Sequence, residues 1–488
     1  MNAAEHILSI GKDDATALVC GGELIAYAEL RERVARTAGW LRGNAVAPDD
    51  RVIVMGADSI AWVVAWLGAI WAGAVAVGLN PRLKSEELGQ VLNETAARVC
   101  FADADAATAI STVSLQSPFK LVGFQSVEGR GGPAIDAVAR APEDEAFWIY
   151  SSGTTGRPKA VVHAHRSADG CAAFAAEVLG VTAADRLFAT SRLFFAYALA
   201  NSLLAGLRLG ATVILDPQWP EPGVTAATVT AKRPTLLFSV PTFYHQLLAH
   251  GVSGQLRAAG VRAFVSAGES LPPRVASRWR DATGRVLYSG YGMSETLALV
   301  LYRDTATAEA AGPAPLTDVR ADASGAADQP LRLWFRHPSL ALGYYRWPDL
   351  QQRNFAGGWC SSGDLFFASG EGRWLFAGRD DSLVKVAGRW VSTVDLQQEL
   401  ASELAPEVRD LAVAAFAGVE GLTGIAVFAV PRAGREAAAR ALLRDRVLAL
   451  PPHQRPRWEY WLGAMPRTAT GKLQVAQLKA IHASALGL

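Results

Sequence analysis

Short apolar segments alternate with amphipathic segments along the N-terminal part of the chain. Residues 27–42 carry apolar side chains at helical spacing, and residues 84–93 predict a second helix with two glutamates in its first turn. Residues 51–55 and 99–102 are short and apolar, and they predict buried strands. Alternation of strands and helices is typical of an α/β fold with largely parallel sheets.

One uncharged segment, residues 60–80, is long enough by hydropathy alone for a membrane-spanning helix. Three glycines interrupt it, an Asn-Pro pair ends it, and no Lys/Arg cluster flanks it. We therefore interpret residues 59–71 as a buried helix and residues 74–77 as a core strand. A transmembrane helix is the less favoured alternative.

The C-terminal part has a pattern of its own. It predicts a helix, two strands and a second helix at residues 392–404, 410–417, 424–430 and 436–450. A chain of 488 residues exceeds the size of a single hydrophobic core, so two or more domains are expected. The second domain is predicted to be a smaller α+β unit.

Composition restricts the partners and the compartment. The net charge of +1 gives no electrostatic reason to expect a nucleic acid or an anionic membrane as a partner. The four cysteines are widely separated and typical of reduced thiols in a cytoplasmic protein, rather than of a disulfide frame or a zinc site. Residues 1–10 show no secretory signal. We therefore expect a cytoplasmic protein that binds neither nucleic acid nor membrane.

A loop rich in glycine, hydroxyl and cationic side chains follows the apolar segment 146–150, which predicts a buried strand. Glycines let backbone N–H groups approach a ligand, hydroxyls donate hydrogen bonds and cations supply charge, so this composition suits a polyphosphate. The Walker spacing is absent, and on composition alone a Ser/Thr/Gly surface loop is an equally good interpretation. The loop comprises Ser151, Ser152, Gly153, Thr154, Thr155, Gly156, Arg157, Pro158 and Lys159.

The order of these residues resembles the signature loop of the adenylate-forming (ANL) superfamily, which includes acyl- and aryl-CoA ligases, peptide-synthetase adenylation domains and luciferases. Further motifs follow in the family's order along most of the chain. Residues 193–197, Leu-Phe-Phe-Ala-Tyr, are similar to the benzoate-CoA ligase branch. The resemblance implies a large N-terminal domain of stacked, mostly parallel sheets with helices, and a small mobile α+β C-terminal domain.

The resemblance also implies nucleotide contacts. Residues 234–242 and 264–270 predict strands that end in small and polar residues, where open α/β sheets bind ligands. Residues 288–296 resemble a motif in which Tyr291 stacks on adenine, Ser294 contacts the α-phosphate and Glu295 holds magnesium. Alone, that glutamate would be an ordinary helix-start residue. The implied ATP-binding residues beyond the loop are Gly268, Glu269, Ser270, Tyr291, Gly292, Ser294, Asp364 for the ribose and Arg379.

An aromatic cluster at residues 192–197, followed by a predicted apolar helix at 198–207, is placed by the resemblance at the acyl pocket and thiol gate. Aromatic side chains at this density are otherwise most often core. Many relatives carry histidine where Phe195 stands, and an apolar aromatic suits a flat aryl acid. The implied pocket residues are Phe195, Ala196, Tyr197, Ala267, Gly290, Ala298 and Leu299.

Two C-terminal motifs resemble the mobile parts of the family. Residues 378–388 resemble the domain junction, with Asp381 as hinge and Gly388 in the thiol tunnel, which divides the chain into domains 1–380 and 381–488. Residues 466–474 resemble the terminal loop whose lysine, here Lys472, enters the active site for adenylation. A cation there would relieve the repulsion between a carboxylate and a triphosphate. The implied catalytic residues are Lys472, Glu295 and Lys159, and Glu295 is the metal ligand.

The sequence departs from the family pattern at several positions. Ala160, Ala198, Ser362 and Ser382 look tolerable, and residues 321–330 resemble a shortened loop. Ala298 replaces a histidine found in many benzoate-activating relatives. This change would widen or depolarise the aryl pocket, so the identity of the acid stays open.

The implied activity is ATP-dependent activation of a carboxylic acid to acyl-AMP, followed by thioester formation with CoA; a benzoate-like acid is favoured. ATP, Mg²⁺ and CoA are the implied cofactors. One alternative is a stand-alone aryl-adenylating enzyme that loads the phosphopantetheine of a carrier protein. Another is a non-catalytic adenylate-binding protein, disfavoured because Lys472, Glu295 and Asp364 are all present. The acceptor thiol, the pathway and the oligomeric state, with a homodimer as one option, stay open.

Overall fold

The computed structural model describes residues 1–126, 132–152, 157–322, 329–380, 382–418, 422–467 and 473–487. The described chain forms two compact units. One comprises Met1–Arg320 and Trp334–Ser361, and the other comprises Ala321–Leu333 and Ser362–Leu488. Each unit has its own sheets and its own hydrophobic core.

The strands, numbered in chain order, supply the sheets of both units. They are β1 Thr16–Cys20, β2 Glu23–Ala26, β3 Arg51–Met55, β4 Val75–Leu79, β5 Val99–Ala102, β6 Lys120–Gly123, β7 Glu145–Ser152, β8 Pro158–Ala164, β9 Arg186–Ala189, β10 Thr212–Leu215, β11 Leu236–Ser239, β12 Ala263–Ser266, β13 Leu287–Gly292, β14 Leu299–Asp304, β15 Gly312–Pro313, β16 Asp318–Ala321, β17 Leu331–Arg336, β18 Gly343–Tyr344, β19 Phe355–Ala356, β20 Trp359–Ala368, β21 Trp374–Arg379, β22 Leu383–Val386, β23 Arg389–Ser392, β24 Val408–Ala417, β25 Thr423–Pro431 and β26 Trp458–Trp461.

The α-helices alternate with these strands. They are α1 Ala3–Leu8, α2 Tyr27–Gly43, α3 Ile60–Trp71, α4 Ser85–Thr95, α5 Ala104–Ser111, α6 Ala196–Ala198, α7 Ala205–Arg208, α8 Pro222–Lys232, α9 Pro241–Ala249, α10 Ser253–Ala258, α11 Pro273–Thr283, α12 Pro348–Asn354, α13 Thr393–Leu404, α14 Glu436–Ala449 and α15 Val475–Leu486. Short 3₁₀ segments occur at Phe124–Ser126, His165–Ala172 and Pro452–Gln454, and π-helical segments at Phe174–Val178 and Leu199–Leu204.

Two large sheets form the first unit, and both are mainly parallel. One has the strand order β15-β14-β13-β12-β11-β9-β10-β1-β2, parallel from β13 to β1 and antiparallel at both edges. The other has the order β18-β8-β7-β4-β3-β5-β6, parallel from β7 to β6, with β8 and β18 added antiparallel. The predicted α/β class with largely parallel sheets matches this topology.

Helix α3 accounts for the uncharged segment that resembled a membrane span. All of its residues are buried, because it packs inside the protein core. It begins after Ser59, whose hydroxyl accepts a hydrogen bond from the Trp62 N–H at 3.1 Å. It ends before Gly73, whose φ of 78° suits glycine. No helix in the described part of the chain is long and apolar enough to cross a membrane.

The remaining sheets are smaller. Strands β16, β17, β20 and β19 lie side by side in that order, and β21 pairs with β20. In the second unit, β22 and β23 form a hairpin. Strands β24 and β25 pair antiparallel, and β26 joins β25 in parallel. Helices α13 and α14 pack on this C-terminal sheet, as the sequence pattern predicted.

Three predicted elements differ from the structure. The segment predicted as a strand at 264–270 is a strand only over Ala263–Ser266. The segment predicted as one strand at 234–242 is a strand only over Leu236–Ser239, because Pro241 starts helix α9, where its fixed φ is favourable. The helix predicted at 198–207 is helical throughout, but its middle, Leu199–Leu204, is π-helical. Apolar periodicity cannot reveal that local widening of the backbone.

Candidate active site

The β7–β8 hairpin carries the glycine- and hydroxyl-rich loop at its tip. Ser151 on β7 pairs with Lys159 on β8, and Ser152 pairs with Pro158. The Ser151 hydroxyl is buried and has no hydrogen-bond partner within the described ranges. A buried donor without a partner is rare in folded proteins. Residues 153–156, which the sequence analysis predicts to bind phosphate, lie outside the described residues.

Lys159 forms a partly buried ion pair at the base of this loop. Its Nζ donates to Glu295 Oε1 at 2.9 Å, and the two side chains are 17% and 9% exposed. Glu295 follows strand β13, so its partner lies on a different sheet of the same unit. The ion pair therefore places one cation and one anion side by side at the base of the loop.

Tyr344 on the short strand β18 completes the pair. Its hydroxyl donates to Glu295 Oε1 at 2.6 Å, and Asn354 Nδ2 donates to the same hydroxyl at 3.0 Å. The Lys159 ammonium lies 4.5 Å from the centre of the Tyr344 ring. The backbone supports this arrangement, since the Ala341 N–H donates to the Glu295 carbonyl at 2.9 Å.

Glu295 is therefore a stable anion. Burial by itself would raise its pKa, but the Lys159 charge and the hydrogen bonds from Tyr344 and Lys159 outweigh that effect and lower the pKa. Burial and the neighbouring Glu295 carboxylate raise the pKa of the Tyr344 hydroxyl, which therefore remains a donor. The site presents a carboxylate whose charged form is favoured beside a cation.

Two buried histidines hold the segment that carries Glu295. His163 Nε2 lies 2.8 Å from the Ser294 carbonyl, which can only accept, so this nitrogen carries the proton. The Ser339 hydroxyl donates to the Thr296 carbonyl at 2.5 Å. His337 Nδ1 accepts from the Ser339 N–H at 3.1 Å and so orients that serine. The residues on both sides of Glu295 are thus fixed through their carbonyls.

This support should make the protein sensitive to acid. Burial lowers the pKa of His163 and of His337 to about 4, whereas an unfolded histidine titrates near 6.5. Between these values the unfolded state binds more protons, so the free energy of unfolding should fall as the pH drops, by up to about 3 kcal/mol for each histidine. Urea unfolding on either side of pH ~6 measures this slope. His163→Gln should make the slope smaller but not abolish it, because His337 still contributes. His250→Gln, at an exposed histidine, should leave the slope unchanged; equal slopes in all three proteins would contradict the assignment.

A cavity of about 480 Å³ lies beside the Glu295 segment, in the same unit. Most of its wall is apolar or aromatic, and Ser294, the residue before Glu295, is part of it. It is lined by Thr190, Ser191, Arg192, Phe195, Ala196, Tyr197, Asn201, Trp219, Pro220, Val240, Phe243, Ala267, Gly268, Gly292, Met293, Ser294, Leu297 and Leu299. Its size and its wall suit a small aromatic molecule.

Arg192 places one cation in this wall. Its guanidinium donates to the carbonyls of Asp216 and Gln218 and lies 4.9 Å from the centre of the Trp219 ring. Its Nη1 lies 3.7 Å from Asp58 Oδ2. Burial raises the pKa of Asp58 to about 7, and Arg192 opposes that rise. Arg192 is thus held by the protein and is only 5% exposed.

Comparison with known proteins connects this geometry to a family. Residues 10–345 match the AMP-binding enzyme family. The chain belongs to this family. It is 38% identical to the 3-hydroxybenzoate–CoA ligase of Aromatoleum sp. (strain CIB), over 98% of this chain and 96% of that protein. It is 35% identical to the 3-hydroxybenzoate–CoA/4-hydroxybenzoate–CoA ligase of Thauera aromatica, over 98% and 97% of the two chains.

Solved structures lead to the same family of AMP-binding enzymes. The anthranilate CoA ligase AuaEII in complex with anthranoyl-AMP has a TM-score of 0.86 and 26% identity, covering 100% of this chain and 98% of that one. A benzoate CoA ligase from Burkholderia xenovorans LB400 has a TM-score of 0.83 and 30% identity, covering 98% and 99%. The superfamily and the fold class predicted from the sequence are confirmed.

Most of the pocket residues predicted for this AMP-binding enzyme line the cavity. Five of the seven do so: Phe195, Ala196, Tyr197, Ala267 and Leu299. Gly290 and Ala298 are not among the described lining residues. A Cβ atom at Gly290 would meet the Leu299 side chain at 2.5 Å, which places Gly290 directly behind that leucine. Ala298 is 3% exposed.

Three residues predicted for nucleotide binding also reach the cavity: Gly268, Gly292 and Ser294. Gly268 has a φ of 90°, which favours glycine in the turn after β12. A Cβ atom at Gly292 would lie 2.8 Å from the Ala298 carbonyl oxygen, so glycine is needed there for close packing. The predicted nucleotide and acyl residues thus meet at one wall.

The other predicted nucleotide residues of the first unit flank this wall. Tyr291 is half-buried, with its ring centre 5.8 Å from that of Phe335. Glu269 accepts hydrogen bonds from the N–H and the hydroxyl of Thr242, at 3.2 and 2.6 Å. Ser270 is exposed beside it. Their proposed contacts with adenine stay predictions.

The second unit contains the predicted ribose contacts. Asp364 and Arg379 are direct partners in the antiparallel β20–β21 ladder. The Asp364 N–H donates to the Ser362 hydroxyl at 3.0 Å, so the serine that replaces a threonine in the motif keeps a hydroxyl function. Gly388 lies in the turn between β22 and β23 with a φ of 79°. The carboxylate and the guanidinium predicted to hold one ribose are thus adjacent.

The predicted hinge Asp381 and the predicted catalytic Lys472 lie outside the described residues. The domain boundary proposed at 380/381 therefore stays a prediction. The backbone of Ser152 is described as part of β7, and residues 153–156 are not described.

Several residues that the structure brings to the site were not predicted as site residues from the sequence. They include Tyr344 and Asn354 at the ion pair, and Arg192, Asn201 and Trp219 at the cavity. Tyr344 stands in a Gly-Tyr-Tyr sequence with no charged or metal-binding pattern. Asn201 lies in an apolar helix, where a lone asparagine is unusual. That buried polar position was the signal available from sequence.

Proposed function

We propose that this AMP-binding enzyme is an AMP-forming acid–thiol ligase that activates an aromatic carboxylic acid with ATP and transfers the acyl group to CoA. The proposal depends on one observation: the aromatic cavity lies next to the ion pair at the glycine-rich loop. Ser294 lines the cavity, and the next residue, Glu295, is paired with Lys159. Relatives matched over nearly the whole chain are CoA ligases of aromatic acids. These relatives confirm the predicted enzyme class, the predicted reaction and the predicted substrates, which are ATP, an aromatic acid and CoA.

The residues present suit a magnesium nucleotide. Glu295 offers a carboxylate with a lowered pKa, the ligand type that Mg²⁺ shares with phosphate oxygens. Ser151 offers a buried hydroxyl that lacks a partner within the described ranges. Glu295 would therefore hold the ion, and the bound ion would supply positive charge beside the polyphosphate.

The first half-reaction requires positioning and charge stabilisation more than proton transfer. A carboxylate oxygen of the acid forms a bond to the α-phosphorus of ATP, and the bond from that phosphorus to the bridging oxygen of pyrophosphate breaks. The Lys159 ammonium can exchange part of its contact with Glu295 for phosphate oxygens. The apolar cavity holds the ring of the acid and limits the access of water to the mixed anhydride.

In the second half-reaction the CoA sulfur forms a bond to the acyl carbon, AMP departs with the electron pair, and the thiol proton passes to solvent. We propose that Asp364 and Arg379 hold the ribose and that Asp381 is the hinge between the domains. Lys472 is proposed to act in the first half-reaction, and Gly388 is proposed to line the thiol path in the second. These roles follow the sequence motifs. A homodimer, a carrier-protein acceptor and a cytoplasmic location also stay proposals.

The test is pyrophosphate release from ATP over a panel of benzoates, followed by mass spectrometry with CoA or with a holo carrier protein. We expect acid-dependent pyrophosphate release and an aryl-CoA product. Thioester on the carrier protein alone would replace CoA as the acceptor. Binding of ATP without pyrophosphate release for any acid would favour a non-catalytic adenylate-binding protein and overturn the proposal.

Tyr344→Phe tests how Glu295 is held. The phenyl ring keeps the contact with the Lys159 ammonium, and only the hydroxyl that donates to Glu295 at 2.6 Å is lost. A hydrogen bond to a charged group contributes about 1.5–3 kcal/mol, so we expect the Mg²⁺ concentration for half-maximal pyrophosphate release to rise about tenfold or more. An unchanged Mg²⁺ dependence with a lowered maximal rate would show that Tyr344 does not act through Glu295.

A further inference from the structure

Asn201 is one of the polar residues in a cavity wall that is mostly apolar or aromatic. It lies in the π-helical segment Leu199–Leu204, lines the cavity and is only 3% exposed. π-Helical turns interrupt regular helices and often occur where a side chain has a functional position. A buried amide in a substrate cavity needs partners for both of its ends.

The protein satisfies one end only. Asn201 Nδ2 donates to the Tyr197 carbonyl oxygen at 3.0 Å. Because a carbonyl cannot donate, the atom beside it must be the nitrogen, which fixes the orientation of the amide. Within the described ranges no protein group donates to Asn201 Oδ1. The cavity therefore contains a hydrogen-bond acceptor at its wall.

Some other polar side chains of the wall are already hydrogen-bonded within the protein or can only donate. The Tyr197 hydroxyl donates to the Val265 carbonyl at 2.9 Å. The Thr190 hydroxyl is paired with that of Ser239 at 2.6 Å. Arg192 can only donate. Asn201 Oδ1 differs from these groups because an amide oxygen can only accept, and no described protein group donates to it. The Ser191 and Ser294 hydroxyls also line the wall, but they can donate as well as accept.

We infer that Asn201 determines specificity for an aromatic acid whose ring carries a hydrogen-bond donor, a hydroxyl or an amino group, which Asn201 Oδ1 accepts. The inference rests on the proposed function, because it concerns the acid bound in that cavity. Relatives named for 3-hydroxybenzoate and anthranilate act on acids that carry such donors. Unsubstituted benzoate would leave the amide oxygen buried without a partner, which is a strong basis for rejection.

The wild-type enzyme gives the first measurement. We expect kcat/KM to be about tenfold or more higher for the best hydroxy- or aminobenzoate than for benzoate. The matching methoxybenzoate, which cannot donate, should be no better than benzoate. A methoxybenzoate equal to its hydroxy counterpart would overturn the inference, because size alone would then explain the preference. This comparison uses only the wild-type enzyme, so it does not depend on whether a variant folds.

The variant Asn201→Leu gives the second measurement, since leucine has a similar size and no polar atoms. We expect the ratio of kcat/KM for the hydroxy acid to that for benzoate to fall to near one. Ser202→Ala, at a buried residue of the same π-helical turn that is not part of the described wall, should keep the wild-type ratio. An unchanged ratio in Asn201→Leu would assign the preference to another group.

The two proposals fail in different ways. If no acid on the panel supports pyrophosphate release by the wild-type enzyme, the proposed function is wrong. If benzoate and its hydroxy and amino derivatives are all activated at equal efficiency, the function stands and the role of Asn201 is wrong.

Discussion

Replacing Glu295 with glutamine is expected to reduce acid-dependent pyrophosphate release about 10²- to 10³-fold, the range found when one preorganised electrostatic group is removed from an active site. Glutamine has nearly the same shape, so it keeps the volume but removes the charge. The carboxylate is 9% exposed, ion-paired at 2.9 Å and kept anionic by its neighbours. The rate of the first half-reaction at saturating ATP and acid, with Mg²⁺ titrated over a wide range, measures the effect.

The same substitution leaves Lys159 without its anion. Breaking a buried ion pair destabilises proteins by about 3–5 kcal/mol, but Lys159 is partly exposed and keeps its contact with the Tyr344 ring, so we expect a loss of at most about 3 kcal/mol. Urea unfolding separates this effect from the rate. An activity loss fully explained by the unfolded fraction would contradict a role in catalysis.

Glu94→Gln is the matched control. The Glu94 side chain is also largely buried, at 6% exposed, and lies 3.4 Å from a cation of the same hairpin, Arg157. Burial raises the pKa of Glu94 and outweighs the effect of Arg157, so its environment does not stabilise the anion as that of Glu295 does. We expect less than about a threefold change in rate, as for a weak, partly exposed pair. Equal losses in both variants would mean that buried charge in general, and not the Glu295 position, supports the reaction.

The parts of the fold with strong periodicity could be predicted from the sequence. Residues 59–71 were predicted to form a buried helix, because the glycines and the Asn-Pro pair of the segment 60–80 argued against a membrane span, and helix α3 covers Ile60–Trp71. The π-helical turn at Leu199–Leu204 could not be predicted, since a shift from i+4 to i+5 hydrogen bonding leaves the same apolar pattern. Local pattern predicts which element forms, and tertiary contacts decide its detailed geometry.

In the candidate site, too, some features could be predicted from the sequence and others could not. Lys159 and Glu295 belong to recognisable motifs, so their residue types were predicted, whereas their 2.9 Å separation is a property of the fold. Tyr344 and Asn354 reach the pair because β18 adds to the edge strand β8, a pairing between segments about 180 residues apart. Asn201 reaches the cavity through the π-helical turn. Residues that act only through long-range contacts carry no local sequence signal.

Replacing Lys472 with alanine is the second substitution with a large expected effect. Lys472 lies outside the described residues, and its proposed role rests on the terminal Thr-Gly-Lys motif and on charge. In the first half-reaction an anionic carboxylate approaches an anionic triphosphate, so the loss of a cation that contacts both should slow pyrophosphate release about 10²- to 10³-fold. In the second half-reaction a thiol attacks an acyl-adenylate whose triphosphate charge is gone, and the same cation has little to stabilise.

Measuring the two half-reactions separately therefore distinguishes the proposed catalytic role of Lys472 from a purely structural role. We expect Lys472→Ala to convert chemically prepared aryl-AMP and CoA to aryl-CoA at close to the wild-type rate while failing to release pyrophosphate from ATP. Lys479→Ala, at an exposed lysine of helix α15 seven residues further along the chain, should leave both rates unchanged. If Lys472→Ala lost activity equally in both half-reactions, this lysine would be needed for folding or for the thiol path instead. A residue that acts only on the triphosphate cannot affect the second half-reaction, because the triphosphate is absent from that step.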